Sequence, residues 1–142
     1  MRRVEPLEQV ALFQGLSPKE LDDVTGLTTR LRLTSGRELT REGTRGDELI
    51  IVLEGSVDVM IDGEVVASPA AGECYGEIAL LGRQPRTATV VACSDVTVDV
   101  ISRRDVDELL RRMPVVEDRL RRVMDERLDA NRERSVGAAG PQ

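Results

Sequence analysis

The 142-residue chain contains no histidine and no tryptophan, a single tyrosine, a single phenylalanine and two cysteines. Without histidine there can be no Ser-His-Asp or Cys-His nucleophile system, no imidazole acid–base catalyst and no site built on the commonest transition-metal ligand. The chain therefore reads as a non-enzyme that needs neither metal nor cofactor. Cys74 and Cys93 are too few for a disulfide framework and their spacing is not a metal motif, which points to reduced thiols in a cytoplasmic protein. Apolar runs are short, the longest lying at 49–53, so membrane insertion is not expected. The charged start Met1-Arg2-Arg3 leads into Glu5 and Pro6 rather than into an apolar signal segment.

Positive charge is also scarce: the formal net charge is -6 and the pI about 4.8. The excess of acid lies in residues 1–100, which hold 10 Lys/Arg against 17 Asp/Glu, while residues 101–142 hold 10 against 9. Generic attraction to nucleic acid is disfavoured, and an anionic ligand needs a locally positive site.

The apolar pattern divides the chain into three parts. In residues 6–16, Leu7, Val10, Leu12 and Phe13 recur at helical spacing and stop at Gly15. Ser17, Pro18 and Glu20 then form a helix start with a capping box, and Leu21, Val24 and Leu27 give that helix its stripe. From residue 28 the period becomes two. Strands are predicted at 28–34, 38–40, 48–54, 56–61, 64–68, 88–92 and 95–101, separated by turn residues, with Asp62-Gly63 as a hairpin signal. Many short strands at this spacing indicate a sandwich or double-sheet jelly roll. Helix returns after Ser102, an N-cap three residues before Asp105, and Pro114 interrupts it. A last helix is predicted over 115–132, with Val116, Leu120, Val123, Met124, Arg127 and Leu128 near one face and pairs such as Glu117 and Arg121 outside. Residues 135–142 are small and polar and read as a disordered tail.

The segment 72–90 carries the chemistry. It is punctuated by Gly72, Gly76, Gly82 and Pro85 and holds Glu77, a short apolar run at 78–81, and Arg86. Glycines let backbone approach a ligand, arginine presents a fork of donors to phosphate oxygens, and a carboxylate accepts from a hydroxyl. The combination suits a small ligand carrying both a sugar hydroxyl and a phosphate.

This segment resembles the phosphate-binding cassette of the cyclic nucleotide-binding domain family, through Gly76, Glu77, Ile78, Ala79 and Leu80 and then Pro85, Arg86, Thr87, Ala88, Thr89 and Val90. Tyr75 stands where phenylalanine is common. The lead-in at Leu12, Phe13, Gly15, Leu16 and Ser17 and the turn glycines Gly36, Gly43, Gly46 and Gly55 extend the resemblance. It implies a mainly β fold with flanking α-helices: a double-stranded β-helix or jelly-roll barrel over 28–101, N-terminal helices over 1–27 and two C-terminal helices over 102–134, all one domain.

The resemblance further implies that the ligand is cAMP, with cGMP kept open by Thr87. Glu77 would accept from the ribose 2′-hydroxyl beside Gly76, Arg86 would pair the exocyclic phosphate oxygens, and the backbone N–H groups of Ala79 and Thr87 would face the phosphate. Ile78 and Ala88 belong to the same cassette. Cys74 and Tyr75 lie beside it, either lining the pocket or packing in the core. Arg127 would lie over the base from the last helix, with Leu128 as the other cap and an arginine snorkelling at the core edge as the bland alternative. Such a domain is a sensor whose last helix closes on the ligand, acts on a protein effector and offers that helix for a homodimer. No helix-turn-helix follows, so direct nucleic-acid binding is not expected. The alternatives are a degenerate domain serving as a protein-interaction module, or the regulatory piece of a larger effector or transcription factor.

Overall fold

The apolar run at 49–53 becomes the central strand of the protein. The computed structural model describes residues 4–69, 71–82 and 85–138. In chain order it contains α1 (Val4–Glu8), a 3-10 turn (Ala11–Phe13), α2 (Pro18–Gly26), β1 (Thr29–Leu33), β2 (Glu38–Thr40), β3 (Glu48–Glu54), β4 (Val57–Ile61), β5 (Glu64–Ala67), β6 (Cys74–Tyr75), α3 (Glu77–Gly82), β7 (Thr89–Ala92), β8 (Val96–Ser102), α4 (Arg103–Arg112) and α5 (Pro114–Ala138). The strands form two four-stranded sheets, in the orders β1-β8-β3-β6 and β2-β7-β4-β5, with antiparallel pairing between neighbours.

Successive side chains of a strand point to opposite faces, and β3 is covered on both. Leu49 and Ile51 pack with Leu7, Phe13, Leu109, Val116 and Leu120 in a cluster between the first sheet and the helices. Ile50 and Val52 join Val57, Val90, Ala92, Val96 and Val98 in a second cluster between the two sheets. Each fully buried aliphatic side chain contributes about 1.5–3 kcal/mol, so a strand buried on both faces is continuously apolar. The same alternation splits a neighbouring pair in β6: Cys74 belongs to the helical cluster and Tyr75 to the inter-sheet cluster.

The jelly-roll architecture expected from the sequence is present, as two stacked sheets rather than one closed barrel. With two residues in β6 and three in β2, the edge strands offer few backbone groups with which to bridge the sheets. At the hairpin between β4 and β5, Asp62 and Gly63 both have positive φ, 52° and 80°, as a tight turn matched to strand twist requires. In the first sheet, Arg30 and Asp99 are cross-strand partners; Arg30 Nε and Nη2 donate to the two oxygens of the fully buried Asp99 carboxylate at 3.0 and 3.2 Å.

The helices start where the sequence places their caps. Glu20 N donates to Ser17 Oγ at 3.1 Å and Ser17 N donates to Glu20 Oε1 at 2.9 Å, closing the capping box. Asp105 N donates to Ser102 Oγ at 3.3 Å. Glu117 and Arg121 pair on the outer face of α5 at 3.1 Å. Two expectations need correction. The helix predicted over 6–16 is broken into α1 and the 3-10 turn, because Leu7, Val10, Leu12 and Phe13 are all buried and a continuous helix cannot aim four such positions at one core. The last helix starts at Pro114, a residue tolerated at the first helical position, and runs to Ala138. It thus passes through residues 135–138 of the predicted tail, since extending an established helix fixes one residue per bond without a new nucleus; residues 139–142 lie outside the described ones. Among the described residues no helix is long and apolar enough to cross a membrane.

Candidate functional site

The site begins where β6 turns into α3. Gly76 has φ 102°, and a Cβ there would collide with the Glu48 carbonyl oxygen and come within 3.1 Å of Arg86 Nη1. Only glycine combines that backbone with that crowding. The Gly76 carbonyl accepts from Leu80 N at 3.1 Å, so α3 opens with Glu77 directed inward, 2% exposed. Arg103 ties the far end of α3 to the β2–β3 loop, its Nη1 donating to Leu80 O at 3.3 Å and its Nη2 to Gly46 O at 3.1 Å.

Arg86 is placed by its backbone. Its N–H donates to Thr44 O and its carbonyl accepts from Gly43 N, both at 2.8 Å, pinning it to the β2–β3 loop. Its guanidinium nitrogen Nη1 is buried and has no hydrogen-bond partner among the described residues. Burial pulls the Arg86 pKa below its ordinary value, against the raising influence of Glu48, Asp47 and Glu77; an arginine remains charged under such a shift. The result is a half-buried cation with one buried, unused donor.

Arg127 reaches the same place from α5. Its Nη1 donates to Glu77 Oε1 at 2.6 Å and to Cys74 O at 2.7 Å, its Nη2 donates to Glu73 Oε1 at 3.5 Å, and its Cζ lies 5.0 Å from the centroid of the Tyr75 ring. Burial, the largest single influence, lowers the Arg127 pKa, and Glu77, Cys74 and Tyr75 together raise it by more, so the net direction is upward. Further along α5's buried side, Arg119 Nη1 donates to the carbonyls of Leu12 and Gln14 at 3.2 and 2.6 Å, which anchors the helix over the 3-10 turn.

Gly76, Glu77, Arg86, Arg127 and Tyr75 line one cavity of about 290 Å3, close to the lower end of small-molecule pockets. Of the residues singled out from sequence, Tyr75, Gly76, Glu77, Arg86, Thr87, Ala88 and Arg127 all line it. Cys74 does not: the pleat turns its side chain into the helical core, where burial pushes its thiol pKa up to about 12, and only its carbonyl serves the site. Leu128 is likewise not part of this wall. The side chains of Ile78 and Ala79 lie outside the described ones. Sequence reasoning missed the remaining walls, which are Thr40, Val59, Ile61, Val66, Ala67, Pro69, Glu73 and Val90 and, on α5, Ala130, Asn131 and Arg134. The α5 group was recoverable, since 127, 130, 131 and 134 follow the helical repeat i, i+3, i+4, i+7.

Residues 30–113 match the family described as cyclic nucleotide-binding domain. Over 130 residues the chain is 31% identical to a cyclic nucleotide-gated potassium channel of Mesorhizobium japonicum, covering 92% of this chain and 36% of the channel. Over 118 residues it is 33% identical to a cAMP-dependent protein kinase regulatory subunit of Aspergillus niger, covering 82% of this chain and 28% of that subunit. Among solved structures it is similar to cAMP-bound PfPKA-R, with a TM-score of 0.82 and 26% identity over 99% of this chain and 47% of the other. The chain spans about a third of the length of these two curated relatives. The chain belongs to the cyclic nucleotide-binding domain family.

Proposed function

We propose that the cavity takes cAMP, with cGMP as the second ligand, and that filling it changes how α5 is held. The observation that carries this reading is the juxtaposition of a buried, unpartnered Arg86 Nη1 with the buried Glu77 carboxylate in one cavity. A guanidinium donor without a partner is costly, and a cyclic phosphate supplies the acceptor it lacks. Glu77 accepts from the ribose 2′-hydroxyl, and Gly76 leaves the space in which sugar and phosphate lie against the backbone. Relatives described as cAMP-bound or cAMP-dependent support the choice of cAMP.

The coupling to α5 runs through Arg127. A ribose hydroxyl arriving at Glu77 competes with Arg127 for the same carboxylate, so ligand binding redistributes the bonds that hold α5 to α3. A ligand shifts such an equilibrium only by its differential affinity for the two arrangements, and Glu77 is where that difference arises. The readout is a protein effector, or a further part of a longer chain, that senses α5; a homodimer through α5 is a second route. The polar groups of α5 on the cavity, Asn131 and Arg134, are placed to meet the base.

Paired calorimetric titrations with cAMP and cGMP test this. Binding of cAMP with at least equal affinity, abolished in Arg86→Ala, is the expected result. Absence of binding by either nucleotide at high micromolar concentration would reject it in favour of a protein-interaction module.

A further inference from the structure

Tyr75 carries one atom that its structural role does not use. Its ring is 5% exposed, packs in the inter-sheet cluster and forms the platform beneath the Arg127 guanidinium. A phenylalanine would meet each of those demands. The hydroxyl is buried and has no hydrogen-bond partner among the described residues, a condition it shares only with Arg86 Nη1 among the buried side-chain nitrogens and oxygens described. Both residues line the same cavity. A buried hydroxyl without a partner is destabilising, so two orphaned donors on residues that line one cavity mark a ligand with acceptors at two points.

We infer that the Tyr75 hydroxyl is a further binding-site donor, which donates to an acceptor atom of the bound cyclic nucleotide in addition to the phosphate contact made by Arg86. The inference rests on the reading of the cavity as a cyclic nucleotide site. Every such ligand offers suitable acceptors in its phosphate oxygens, ribose oxygens and purine ring nitrogens. Burial raises the phenol pKa, with Arg127 opposing, and the hydroxyl therefore keeps its proton for donation at neutral pH. Tyr75 thus tunes affinity by a contact that phenylalanine at this position cannot make.

Tyr75→Phe deletes the oxygen and keeps the ring. Measured by calorimetry, its affinity for cAMP should fall about three- to tenfold, the range of one neutral hydrogen bond, while the thermal midpoint of the ligand-free protein should stay level or rise. Equal cAMP affinity in the two proteins would overturn the inference and leave the hydroxyl to an internal water. A marked drop in the ligand-free midpoint would also overturn it, by showing that the hydroxyl is already satisfied in the resting fold. A wild-type protein that binds no cyclic nucleotide would instead sink the underlying reading of the cavity, and this inference with it.

Discussion

Arg127 Nη1 lies 2.6 Å from Glu77 Oε1, joining the last helix to the first residue of α3 across fifty positions of sequence. The two ends are unequal, since Glu77 is 2% exposed and the Arg127 side chain 28%. The carboxylate depends on the arginine more than the arginine depends on it, because Arg127 also has the Cys74 carbonyl. That asymmetry makes Glu77 the group through which ligand and helix communicate.

Arg127→Ala should therefore destabilise the ligand-free protein. Breaking a wholly buried pair costs about 3–5 kcal/mol, and the partial exposure of Arg127 reduces this to about 1–3 kcal/mol. Urea denaturation gives the number. In the same variant, cAMP should bind modestly more tightly, because its ribose hydroxyl no longer competes with Arg127 for Glu77, and should no longer alter hydrogen exchange along α5. A variant with wild-type stability and a wild-type exchange response would show that the pair couples nothing.

Arg86→Ala separates stability from binding in the opposite sense. Loss of a charge-assisted contact to a buried phosphate should cost about 2–5 kcal/mol of cAMP affinity. The ligand-free fold should be unchanged or slightly firmer, because the variant removes a half-buried guanidinium with one buried, unused donor. Titration and thermal denaturation of one preparation measure both. Lower stability with retained affinity would contradict the assignment.

Gly76→Ala should be far more damaging than Gly43→Ala. Both glycines have positive φ, 102° and 83°, but a Cβ at Gly43 meets nothing within 4 Å. Gly43→Ala thus pays only the left-handed backbone cost, about 1 kcal/mol. At Gly76 the added carbon strikes the Glu48 carbonyl and crowds Arg86 Nη1, and backbone cannot yield as a side-chain tip can. Denaturation midpoints for the pair, with cAMP affinity for Gly76→Ala, check the difference; equal effects would mean that close packing at Gly76 is unimportant.

Much of this was legible because local chemistry and global packing agree. Asp62-Gly63 announced its hairpin, Ser17 and Ser102 their helix starts, and the unbroken apolar run of β3 its burial on two faces. The cassette residues Glu77 and Arg86 were found because they are crowded into a few positions. What escaped was non-local or too short to show a period. Strand β6 has two residues, and its opposite-facing Cys74 and Tyr75 could not be told apart by pattern. The break between α1 and the 3-10 turn comes from a core that no 11-residue window contains. The direction of Arg127 was open because a helical repeat fixes a face, whereas its partner Glu77 lies in a separate element.

Alkaline pH should reveal the two residues of β6. Burial raises the Cys74 thiol from its ordinary 9.0 to about 12, with the Glu77 charge adding to the shift, and burial raises Tyr75 from 10.0 in the same direction. In the unfolded chain both groups lose protons near their ordinary values, so above about pH 9 the unfolded state binds fewer protons than the native one. Stability must fall as pH rises wherever that is true. The contribution of these groups is complete below pH 9.0 and is lost progressively as pH rises towards about 12. Urea midpoints at about pH 8 and about pH 10 should therefore differ, and Cys74→Ala should flatten the early part of the decline, since only the thiol titrates there before tyrosine joins. An alkaline limb of unchanged shape in Cys74→Ala would show that the thiol reaches solvent, contrary to its place in the helical core.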